Sequence, residues 1–154
     1  MKRFRLALAL ALCAALATIS AAADPFAGTW RLNTEKSKYD PGPAPDRAMV
    51  TIESDGVTTT VKTESSFEGK AMTVTYKASL DGTPAPLQGS PVADMVSVKK
   101  VDEQTREMKS QKGGKTVSES RATVSADGKT VTVVGSGLNP KGVKVTFTAL
   151  YEKQ

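Results

Sequence analysis

Between Gly28 and Glu152 the sequence runs in short stretches where apolar and polar residues alternate, and a turn signal separates each stretch from the next. Successive side chains of an extended strand point to opposite faces, so a period of two marks a strand with one face buried. Strands are expected on this pattern over residues 28–33, 48–54, 57–64, 70–79, 92–101, 105–111, 115–125, 129–135 and 143–152. Asp55-Gly56, Gly113-Gly114 and Asp127-Gly128 are the dipeptides that two-residue hairpins require. Residues 34–47 carry Pro41, Pro43 and Pro45, which are barred from a central strand, and read as a loop. Residues 81–91, opening on Asp81-Gly82 and ending at Pro91, read as a second proline-rich connection. No stretch keeps a helical period.

Consecutive hairpins make a meander, and a meander of this size removes its exposed edges by closing on itself. The expected fold is therefore all-β: an antiparallel up-and-down meander of about 8–10 strands closed into a small barrel. A sandwich is the rival, but sandwiches usually need Greek-key crossings, whereas these connections are nearly all tight. One run resists the pattern. In residues 115–125 Val117, Glu119 and Arg121 share one face while Thr116, Ser118, Ser120 and Ala122 share the other, which leaves a polar interior or an edge position as alternatives.

Lys2, Arg3 and Arg5 precede an apolar run from Leu6 to Ala17, and Ala21-Ala22-Ala23 supplies a small-x-small cleavage site. The run is shorter than the ~20 residues a membrane span needs. Residues 1–23 are thus expected to be a signal peptide, with residues 24–154 forming one domain in the periplasm or outside the cell. Cys13 would leave with the signal, so no disulfide could form despite an oxidising destination. Val and Thr dominate what remains, while Leu and Ile are scarce. Both favoured residues branch at Cβ and suit the pleated strand. The low apolar content raises the question of disorder, but the high net charge that completes that signature is missing once the signal's three cations are removed.

The formal charge of +5 invites a nucleic-acid reading, yet Lys99-Lys100 is the only adjacent basic pair after the signal, and no aromatics are interleaved with it. No nucleic-acid partner is expected. The chain has no histidine, and Cys13 is its one cysteine. Nucleophile–base pairs of the Ser-His or Cys-His kind are excluded, as are zinc, haem and copper sites of the usual ligand sets. The Asp-Gly turns lack the ligand spacing of a calcium loop. The chain is accordingly expected to be no enzyme and to carry no catalytic residue, metal or cofactor. The outward residues are Lys, Thr and Glu, which argues against a lipid-embedded barrel.

Phe26-x-Gly28-Thr29-Trp30-x-Leu32 resembles the opening strand of the calycins, the lipocalins and intracellular fatty-acid-binding proteins, in which Gly-x-Trp closes the barrel floor with the indole under the ligand cavity. Thr148-Ala149-Leu150-Tyr151-Glu152-Lys153 resembles the last strand of the fatty-acid-binding group. The longer opening through Asn33, Lys36-Ser37-Lys38-Tyr39 and Pro41-Gly42-Pro43 is similar to exported bacterial lipocalin-like proteins, and the likeness extends through Gly89-Ser90-Pro91 and Asp94-x-Val96-Ser97. This resemblance implies a barrel fold. It does not carry a ligand with it, because Ala149 stands where the fatty-acid-binding group has an inward arginine, and residues 34–47 are too short for that group's helix pair.

Two functions follow as expectations. One is a non-catalytic binding protein for a small apolar or amphipathic ligand, with Trp30, Met72, Val74, Tyr76, Val145, Phe147 and Tyr151 in the barrel interior. Plain core filling is the competing, and plainer, reading of these residues. The other is an interaction, inhibitor or envelope protein acting through residues 34–47 and 81–91, since loops on a rigid scaffold often carry function. Lys36, Lys38 and Tyr39 are placed in that first loop, as a rim for an anion or as a solvated cover over the barrel end.

Overall fold

The computed structural model describes residues 22–154. The expected signal segment, apart from its last two residues, lies outside that range. Ten strands follow in order: β1 (Gly28–Asp40), β2 (Arg47–Ser54), β3 (Thr58–Phe67), β4 (Lys70–Ser79), β5 (Ala85–Gln88), β6 (Met95–Asp102), β7 (Thr105–Lys112), β8 (Lys115–Val124), β9 (Thr130–Leu138) and β10 (Lys144–Lys153). Each pairs antiparallel with the next, and β10 returns to pair with β1. The sheet is a closed barrel, the architecture that alternation and tight turns imply. Trp30 lies at the seam, opposite Lys153 on β10 and Val50 on β2.

Two segments expected as loops contain strand. β1 continues past Asn33 to Asp40, with a bulge that moves its pairing on β10 from Asn33–Leu150 to Lys38–Thr148. Polar side chains hold the bulge together. The Asn33 carboxamide accepts from the Lys36 amide at 3.0 Å, and Ser37 Oγ donates to the Asn33 carbonyl at 2.6 Å while accepting from the Leu150 amide at 2.9 Å. Three backbone groups at the bulge thus find side-chain partners, which helps irregular backbone persist inside a sheet. The prolines end the strand only at residue 41. The second segment contains β5, four residues joined to β4 and β6 by short ladders, with Pro86 opposite Met95.

β8 resolves in favour of the polar interior. It pairs with both β7 and β9, so it is no edge. Its inward face ends in buried Ala122 and Val124 but begins with Ser118 and Ser120. Small residues are needed there because β9 crosses closely. A Cβ on Gly135 would lie 2.3 Å from the Glu119 carbonyl oxygen, and one on Gly137 would lie 2.6 Å from Ser118 Oγ. Only glycine permits that approach.

The inward faces form three apolar clusters. Phe26, Trp30, Ala122, Val124 and Val131 fill one end. Ala78, Leu80, Val96 and Val98 line the β4–β6 side, and Leu32, Ala48 and Ala149 pack under Tyr39 and Phe147. On β10 Val145, Phe147, Ala149 and Tyr151 face inward, whereas Val143, expected to open the strand, precedes it and is 46% exposed. The ladder starts one residue later, at Lys144, and leaves Val143 in the turn.

Candidate functional site

Strand alternation brings side chains from nine of the ten strands around one pocket of about 190 Å³, lined chiefly by apolar groups. Trp30 from β1, Val50 and Ile52 from β2, Val61 from β3, Val98 from β6 and Met108 from β7 give it its apolar surface. Phe26 closes it from the segment before β1. Trp30 is 1% exposed, and its indole Nε1 donates to the Phe26 carbonyl at 2.9 Å, which fixes the ring's edge and satisfies its one polar atom. Lys153 Nζ lies 5.2 Å from the indole centroid and covers the seam side of the ring.

The expected interior residues divide. Trp30, Tyr76 and Tyr151 line the pocket together. Met72, Val74, Val145 and Phe147 do not. Met72 borders a separate groove at the opposite end with Phe67, Pro91 and Pro140. Val74 is half-buried opposite Thr63, Val145 is buried in packing, and Phe147 stacks on Tyr39 with centroids 5.9 Å apart. A period of two tells which face of a strand a residue occupies, not how far along the barrel it sits. Tyr39, expected in an anion rim or a solvated cover over the barrel end, instead packs inward on Phe147. Lys36 lies within 3.7 Å of Glu152 on the neighbouring strand.

Sequence reasoning missed Arg106. Its side chain lines the pocket, and its Nη2 meets Asp24 Oδ2 at 2.5 Å, with both side chains 5% exposed. Ser54 Oγ completes the group, donating to Asp24 Oδ2 at 2.5 Å and lying 3.2 Å from Arg106 Nη2. The other carboxylate oxygen accepts from the Phe26 amide at 3.0 Å. The guanidinium carbon sits 4.2 Å from the Phe26 ring centroid. Burial lowers the Arg106 pKa, while Asp24 and Tyr76 act to raise it, and arginine remains charged throughout the ordinary range. A signal existed in the alternation of β7, where Arg106 shares a face with Met108 while Glu107 and Lys109 share the other.

Burial pushes the Tyr76 phenol up to about 12 and Tyr151 higher still, and among the described residues no hydrogen bond contributes to either shift. Both stay protonated as neutral donors. No group of three Asp, Glu or Cys among the described residues is placed to share a metal ion. No helix among them is long and apolar enough to cross a membrane. The fold and site define a closed, ten-stranded antiparallel barrel with a tryptophan-walled apolar pocket. Comparison with known proteins adds no name to that class: no family model matches the chain, and no curated protein is significantly similar to it.

Proposed function

We propose that this is an exported, lipocalin-like binding protein that holds a small apolar or amphipathic molecule in its barrel and carries out no chemistry on it. One observation supports the reading above the others: a barrel of this size leaves about 190 Å³ open beside Trp30 instead of filling it. Protein interiors pack to the density of organic crystals, and apolar space of this order is seldom left open without use. The Gly-x-Trp opening agrees with the lipocalin-like resemblance. The loop-based alternative has less to stand on, because β1 absorbs residues 34–40 and β5 divides the second connection.

Native mass spectrometry of the chain from Asp24 onward, mixed with an extract of small lipids and volatile aromatics, tests the proposal. A one-to-one adduct is expected. It should be absent from Ala122→Phe, which places a phenyl group in the pocket. Adducts that persist in the filled variant, or none with any extract, would end the reading.

A further inference from the structure

The pocket contains one charged side chain, and that charge is already answered. Arg106 and Asp24 form a pair with little solvent access, and the carboxylate has further donors in Ser54 and the Phe26 amide. The site as built is electrically neutral. A carboxylate entering it would bring an uncompensated negative charge into a poorly hydrated space, or would have to displace Asp24 from its cation. Either course carries the desolvation cost of a buried ion. An entering ammonium would meet a guanidinium with no free anion nearby.

The pocket nevertheless offers polar contacts. Tyr76 and Tyr151 line it with phenols that burial keeps protonated. Neither phenol is counted among the sealed side-chain polar atoms without a partner, of which Asp94 Oδ1 is the one among the described residues. A protonated phenol at the pocket wall can donate to a ligand hydroxyl or carbonyl oxygen. Size narrows the class further. A void of about 150 Å³ lined by aliphatic and aromatic groups accepts benzene, so about 190 Å³ fits about seven or eight non-hydrogen atoms.

We infer that the ligand is an uncharged single-ring molecule of that size bearing one hydroxyl or carbonyl group, and that its carboxylate counterpart is rejected. The inference rests on the ligand-binding reading above and specifies its chemistry. Selectivity for neutral over anionic molecules comes from Asp24, which acts as an internal counter-ion and occupies the cation a fatty acid would seek.

The test is titration of the protein with toluene, p-cresol and benzoate at neutral pH, read on the ¹³C-methyl resonance of Met108, with Met72 outside the pocket as the control. Toluene and p-cresol should shift Met108 and not Met72, with p-cresol binding about tenfold or more tighter than benzoate. Asp24→Asn should narrow or invert that ratio by strengthening benzoate, now the counter-ion of Arg106. Tyr76→Phe, which keeps the ring, should weaken p-cresol several-fold and leave toluene unchanged. Benzoate binding the unaltered protein as tightly as p-cresol overturns the inference while leaving the binding function intact. Toluene and p-cresol both leaving Met108 unmoved removes the binding function itself.

Discussion

Replacing Arg106 with methionine keeps the length and apolar volume of the side chain but deletes the cation of the buried pair. Asp24 then keeps two donors, Ser54 Oγ at 2.5 Å and the Phe26 amide at 3.0 Å, and loses the counter-charge of the Arg106 guanidinium. Breaking a buried ion pair from one side costs about 3–5 kcal/mol. The lost cation over the Phe26 ring adds to the cost, and the two surviving hydrogen bonds reduce it, so about 3 kcal/mol is expected. Adding Asp24→Asn to Arg106→Met removes the stranded charge and retains a carboxamide oxygen for the same donors. The double variant should therefore be more stable than Arg106→Met alone, with a coupling of about 2 kcal/mol in the cycle. Urea unfolding followed by the fluorescence of Trp30, the one tryptophan of the chain, measures each corner. A loss below about 1 kcal/mol in Arg106→Met would refute the buried pair, as would costs that simply add in the double variant.

Three further outcomes are expected. The chain's three tyrosines, Tyr39, Tyr76 and Tyr151, all have raised folded pKa values against an unfolded value of 10.0, so the stability they contribute is complete below 10 and is lost as pH rises through about 12. Phenolate absorbance should accordingly appear only together with alkaline unfolding, and a tyrosine ionising near 10 in the folded barrel would contradict the burial. Ser37→Ala strips the Leu150 amide of its acceptor and the Asn33 carbonyl of a donor, and should cost about 1–3 kcal/mol with faster hydrogen exchange at Leu150; unchanged exchange there would show that the bulge does not depend on Ser37. Gly135→Ala forces a methyl group to within 2.3 Å of the Glu119 carbonyl, and should cost about 1–3 kcal/mol by thermal melting, whereas a neutral substitution would mean that β8 and β9 can separate freely.

The all-β class, the antiparallel order and most strand positions could be read from alternation, because the period of two and the turn dipeptides act locally. Where the reading stopped short, the deciding interactions were non-local. Residues 34–40 looked like loop because the bulge in β1 depends on Ser37 meeting Leu150 across the seam, a contact no local pattern records. β5 was hidden because a four-residue strand containing Pro86 gives no alternation long enough to count. The same limit governed the site. Alternation placed Met72, Val74, Val145 and Phe147 on the inward side, but their positions further along β4 and β10 carry them away from the pocket that Trp30, Tyr76 and Tyr151 share. Arg106 was passed over because an inward arginine makes sense only once Asp24, distant in sequence, is seen beside it.

The central claim is that open apolar volume lies against Trp30 inside a closed barrel. Diffraction from crystals pressurised with xenon tests it most directly, because xenon enters dry apolar cavities without needing any polar contact. The account predicts a xenon site bounded by Trp30, Met108 and Tyr151. Xenon found only at the outer surface, with side chains filling the space beside the indole, would contradict it.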